Sequence, residues 1–136
     1  MKVLHSFGIV FSIFVFFGST FSLLNAKTSS CPELTEEQKI EKLLAKVGKV
    51  QGSLIRNGES HPADAAEKHL RYKLEEAKKS FFAPDPKEWT AKLFIEKIAS
   101  KSFLTGTPYL IKFSDGKEIK SRDWLLGELS KIESCL

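Results

Sequence analysis

Apolar residues recur along the middle of the chain with the period of a helix. Ile40, Leu43, Leu44, Val47, Leu54 and Ile55 make one stripe, and Ala63, Ala66, Leu70, Leu74, Ala77 and Phe81 a second. Side chains three, four and seven residues apart share one face of an α-helix. Thr35, followed three residues later by Gln38, is a capping-box start for the first helix. Asn57 and Gly58 tolerate the left-handed conformation and are expected to end it. Pro62 suits the first turn of the second helix. The link between the two is short, so an antiparallel helical hairpin is expected. Pro84 and Pro86 then break the chain. Asp85, with Glu88 at the box position, is expected to cap a third helix that buries Phe94, Ile95, Ile98 and Ala99.

Beyond the hydroxyl-rich stretch SKSFLTGTP the period changes to two. Tyr109, Ile111 and Phe113 alternate with Leu110 and Lys112, and a Ser114-Asp115-Gly116 turn leads to a second strand, with Ile119 facing Ile111. Ser121 is expected to cap a last helix carrying Trp124, Leu125, Leu129 and Ile132. Trp124 lies on its apolar stripe and reads as core, whereas Trp89 is open to either burial or exposure. The predicted order is α-α-α-β-β-α. This is an α+β domain, mostly helical, over residues 34–136, and a lone hairpin would have to lean on the helices.

The first 26 residues follow a different pattern. Phe7 to Ala26 contains six of the 11 phenylalanines and no charge, with Lys2 before it and Lys27 after it. A short basic start, an apolar run and small residues before Ala26 read as a signal peptide over 1–26, followed by a short linker over 27–33. An uncleaved membrane anchor is the alternative, since the run from Val3 to Leu24 is long enough to span a bilayer. Both readings place the remainder outside the cytoplasm.

Charge adds little. The chain has 21 Lys+Arg against 17 Asp+Glu. Loss of residues 1–26 removes only Lys2 and leaves a net +3. There is no basic run, and an exported protein rarely meets nucleic acid, so no nucleic-acid partner is expected. Cys31 and Cys135 are the only cysteines. They lie near the two ends of the exported part, where a disulfide is the expected state. Lipidation of Cys31, after the small residues of TSSC, and two free thiols are the alternatives. A membrane partner is expected only if the signal is retained or Cys31 carries lipid.

One group of residues carries candidate chemistry. On the second helix Lys73 lies ~20° around the axis from Ala66, and His69 ~60°. In an antiparallel hairpin Gln51 comes level with them, and Arg56 and Asn57 sit at the adjoining turn. Ser100, Ser102 and Tyr109 could complete a ligand-binding hollow. Buried charges need partners. Glu41, Asp115 and Glu118 are available internally; otherwise water or an anion must serve. Two readings stay open. In one, Lys73 and His69 snorkel at a boundary, Arg56 bridges carbonyls at a helix end and the serines make turns. In the other, the group binds an anion or peptide. A catalytic set of Ser100 or Ser102 with His69 and Asp115 has the right residue types but no supporting motif. His5, His61 and His69 lack metal-ligand spacing, and no cofactor motif occurs.

The segments IRNG, AAEKHLRYKL, FIEKIASKS, TGTPYLIKFSDG and WLLGEL, in this order, resemble a family of small exported bacterial proteins known as domain of unknown function 5329. The resemblance covers roughly Glu36 to Ile132 and includes Arg56, Asn57, Gly58, His69, Lys73 and Trp124. Phe103 departs from it, where a second serine is expected, and Pro62 replaces a more usual capping residue. The resemblance implies export and a shared fold, and it implies no activity. The expected role is a binding or interaction module of the cell envelope, whose partner is a cell-wall fragment, a small anion or another envelope protein. A small extracytoplasmic hydrolase and a lipid-anchored scaffold are the alternatives.

Overall fold

Thr35 starts the first helix as its pattern predicts. In the computed structural model, which describes residues 32–135, its hydroxyl accepts from the Gln38 N–H at 3.2 Å. The Gln38 side chain accepts the Thr35 N–H at 2.9 Å. Helix α1, Glu36–Gly48, buries Ile40, Leu43, Leu44 and Val47. The expected signal peptide, 1–26, most of the linker and Cys31 lie outside the described residues. Among the described residues no helix is long and apolar enough to cross a membrane.

The first helix does not run on to Ile55. It ends at Gly48, and the chain becomes strand β1, Gly52–Arg56, which pairs antiparallel with β2, Glu59–Pro62. The period was misleading here for a simple reason. Leu54 follows Val47 by seven residues, two helical turns, yet it is also the inward residue of an alternating strand. The deciding signal is Asn57-Gly58. Both residues have positive φ, +52° and +83°, which makes the two-residue turn that matches strand twist. Gly52 fixes the other end: a Cβ there would lie 2.1 Å from the Lys112 carbonyl oxygen of the neighbouring strand.

Helix α2, Ala63–Lys79, follows Pro62 directly and buries Ala66, Leu70 and Leu74. It packs on α1 as expected, although a β-hairpin and not a tight link joins them. Phe81 falls beyond the helix and is 94% exposed. One 3-10 turn, Pro86–Glu88, precedes the third helix, whose cap is Thr90 and not Asp85. The Thr90 hydroxyl accepts from Leu93 N–H at 3.1 Å. Helix α3, Ala91–Phe94, widens into a π-helical segment, Ile95–Ala99, so that Phe94, Ile95, Ile98 and Ala99 are all buried.

Strands β3, Leu110–Phe113, and β4, Glu118–Lys120, form the expected hairpin, with Ile111 opposite Ile119. They do not stand alone. β3 also pairs with β1, giving one antiparallel sheet in the order β2-β1-β3-β4. Helix α4, Ser121–Ser134, closes the domain. Ser121 is its first helical residue and no cap; its buried hydroxyl donates to the Ala99 carbonyl at 2.9 Å. Trp89, left open by the sequence, is buried at 6% exposure, while Trp124, expected in the core, is only partly buried against it.

The result is α+β and mostly helical, with helices packed on one face of a four-stranded sheet. Leu54, Tyr109 and Ile111 point into the core, whereas Lys112 on the opposite face is exposed. Across the helical layer, Glu128 of α4 takes Lys46 of α1 at 2.6 Å and Lys131 at 2.7 Å. Burial pushes the Glu128 carboxyl up, but the hydrogen bonds from Lys131 and Lys46 outweigh this and hold it below its ordinary value.

Candidate functional site

Side chains alternate across a strand, so Arg56 shares its inward face with Leu54. The register sets Glu59 opposite Arg56, and His61 opposite Leu54. One step beyond the Ile55–Leu110 pair, Tyr109 comes level with Arg56. The last inward row of the sheet is thus Glu59, Arg56 and Tyr109, at the end of the sheet made by the Asn57-Gly58 turn. Helix α2 crosses above this row and presents His69 and Lys73, one turn apart, toward it. The loop 101–108 covers the side.

Together these elements enclose a hollow of about 380 Å³ lined by Arg56, His69, Lys73, Ser102, Phe103 and Tyr109, with Asn57, Glu59 and Leu104 at its margin. Six residues singled out in the sequence, Arg56, Asn57, His69, Lys73, Ser102 and Tyr109, therefore meet. Two do not. Gln51 is exposed at the opposite end of β1, where its carbonyl accepts from Ser114 N–H at 3.1 Å. A continued α1 helix would bring it level with His69, but the chain is extended from Gly52 and carries it away. Ser100 is buried, and its hydroxyl donates to the Ile95 carbonyl within the π-helical segment.

Lys73 is anchored. Its Nζ donates to the carbonyls of Ile98 and Lys101, both at 2.7 Å, and lies 3.4 Å from the Tyr109 hydroxyl. It stands 5.1 Å from the Tyr109 ring centroid and 5.9 Å from that of Phe103. Lys73, not Arg56, is thus the cation that bridges carbonyls at a helix end. No carboxylate pairs with it among the described residues. Burial, helped by the charges of Arg56 and Lys101, brings its pKa down from 10.5 to about 8.

Arg56 is the less committed cation. One of its terminal nitrogens lies 2.9 Å from His69 Nδ1 and 3.0 Å from Nε2. The lone-pair directions of the two ring nitrogens diverge, so near-equal distances set the guanidinium over the ring. A guanidinium only donates, and it therefore favours a neutral imidazole. Burial, then Arg56, Lys73 and His61, depress the His69 pKa. Burial raises that of the Tyr109 phenol. The internal acids considered from sequence are elsewhere: Glu41 pairs with Arg71, Glu118 with Lys112, and Asp115 accepts from Lys117 N–H in the far turn. Glu59 is the one acid at the margin, 3.9 Å from His61 and in no ion pair with Arg56 among the described residues. The buried His61 Nε2 has no hydrogen-bond partner there.

The loop is held in place. Ser102 N–H donates to the Thr107 carbonyl at 2.9 Å and Gly106 N–H to the Ser102 carbonyl at 3.0 Å. The Thr105 hydroxyl donates to Asn57 Oδ1 at 2.9 Å, tying the loop to the β-turn. The Ser102 hydroxyl accepts from Thr105 N–H at 3.4 Å. Neither serine hydroxyl is bonded to His69, and Asp115 lies at the far end of β3, so the serine, His69 and Asp115 set is not assembled. Among the described residues no group of three His, Cys, Asp or Glu side chains could hold a metal ion. Sequence reasoning missed Glu59, Phe103 and Leu104. The Asn57-Gly58 turn would have found Glu59, because a two-residue hairpin loop sets its flanking residues opposite each other. Phe103 stands out in the sequence only as a departure from the family pattern, and Leu104 gives no signal beyond standing in a polar loop.

The fold and this hollow define a class: a small α+β domain that presents, at one end of its sheet, cations with no carboxylate partner among the described residues. The chain belongs to the family of unknown function DUF5329, which matches residues 34–133. It is also similar to an uncharacterized protein, YfeK, of Salmonella typhimurium, at 37% identity over 75 residues. That match takes in 54% of this chain and 57% of the relative, so it spans just over half the relative's length. No solved structure matches the chain.

Proposed function

We propose that the protein is an exported cell-envelope binding module whose hollow captures a small anionic group, with Arg56 as the docking cation. One observation carries this reading. A terminal nitrogen of Arg56 lies 2.9 Å from His69 Nδ1, in the same hollow as a second cation, Lys73, with no carboxylate paired to either cation among the described residues. Partly buried like charges with no carboxylate in an ion pair with them disfavour the empty hollow, and an anion entering it would relieve that cost. Lys73 supplies field more than bonds, because its short hydrogen bonds already go to protein carbonyls.

Export rests on the apolar run of residues 1–26, and a periplasmic setting is the natural destination. In that setting Cys31 and Cys135 are proposed to form a disulfide that ties the two ends of the domain. The test of the anion site is thermal unfolding of the purified protein with and without acetate or phosphate. Stabilisation that disappears in Arg56→Ala is expected, with affinity lowered about tenfold or more. Equal stabilisation of the wild type and Arg56→Ala would overturn the reading.

A further inference from the structure

Two of the most exposed large apolar side chains of the domain stand beside Arg56 and Lys73, which have no carboxylate partner among the described residues. Phe103 is 80% exposed and Leu104 96% exposed, and both border the hollow that contains Arg56. They are not on a loose tip, since the loop is closed on itself by the Ser102–Thr107 and Ser102–Gly106 backbone bonds and fastened to the β-turn through Thr105 and Asn57. A rigid presentation of apolar surface next to a cation is a binding arrangement more than an accident of packing.

The donors narrow the anion. Two of the Lys73 hydrogens are occupied by carbonyls. The Arg56 fork is the strong donor left, and it suits a planar group with two oxygens. Glu59 at the margin opposes a dianion. The apolar wall is close: Phe103 and Leu104 line the same hollow as Arg56. In a peptide the terminal carboxylate and the last side chain branch from the same carbon, and so present charge and apolar surface side by side.

From this juxtaposition we infer that the hollow recognises the free C-terminal carboxylate of a peptide whose last side chain is apolar, with the carboxylate on Arg56 and the side chain against Phe103 and Leu104. The inference rests on the anion-site reading and adds the ligand class to it. The hollow, about 380 Å³, is large enough for a terminal residue.

The test is calorimetric titration of the full protein with N-acetylated tripeptides ending in Phe, Leu or Gly, each as free acid and as amide. The acids ending in Phe and Leu are expected to bind about tenfold tighter than the one ending in Gly, with the amides at least as much weaker than their acids. Phe103→Ser should remove the preference for Phe over Gly. Amide NMR shifts at residues 56, 69 and 103 would place the ligand, and would show that the variant keeps its fold. Equal binding of all three acids, with amides silent, would overturn the ligand class and leave the anion site standing. Acids and amides that bind alike, or no binding by any peptide or by acetate, would overturn both.

Discussion

Lys73 shows how one side chain can be structural and electrostatic together. Its aliphatic stem crosses from α2, and its ammonium closes the carbonyl end of the π-helical segment. Removing it leaves those carbonyls short of donors, so Lys73→Ala is expected to cost roughly 1–3 kcal/mol in urea unfolding. Its pKa, brought down to about 8, makes a second and separate prediction. A folded-state pKa below the unfolded value of 10.5 means that the unfolded chain holds more protons between the two. Wild type should therefore gain stability relative to Lys73→Gln as pH rises from about 8 toward 10.5. Anion binding should move the opposite way, weakening as the ammonium loses its proton. Affinity for acetate that stays flat between pH 7 and pH 9 would remove Lys73 from the site.

At the scale of elements, the sequence was legible wherever one period had no competitor. The buried face of α1 up to Val47 and the α2 stripe of Ala66, Leu70 and Leu74 follow from spacing alone, and the Ile111–Ile119 register from alternation together with the Ser114-Asp115-Gly116 turn. Leu54 and Ile55 fit two periods at once, and there the turn chemistry decided the outcome. Reading Asn57-Gly58 as a helix stop, when it is a strand-to-strand turn, misplaced Gln51 and hid Glu59. Arg56, His69 and Lys73 were still found, because helix and strand both bring the end of that segment back to α2. Gly58, at φ +83°, has free space around it, so Gly58→Ala tests backbone conformation alone. It is expected to lower stability by about 1 kcal/mol and to weaken anion binding by moving Arg56 against α2. Unchanged unfolding would mean that the turn is not the left-handed one described.

For the molecule as a whole, the hollow depends on three separated segments: the end of β1, the middle of α2 and the loop before β3. No local pattern shows such a meeting, which is why the sequence does not place Phe103 and Leu104 at the hollow. The pairing of β1 with β3 joins the two hairpins into the sheet that sets Arg56 level with Tyr109. The proposed Cys31–Cys135 bond would act on the same scale, by restricting the unfolded chain across nearly the whole domain. Intact mass of the unreduced exported protein should be two hydrogens lighter than after reduction, and reduction should lower the unfolding temperature. A lipid adduct on Cys31, or a mass unaffected by reduction, would reject the disulfide.

If Arg56 offers its guanidinium to an incoming anion, the Arg56 side-chain N–H and the His69 ring should both respond in NMR spectra as acetate is added at neutral pH. Saturable shifts of both are predicted, with His69 staying neutral in the free protein and the His69 shifts lost in Arg56→Ala. An Arg56 signal that does not move, or a His69 ring already charged at neutral pH before any anion is added, would contradict it.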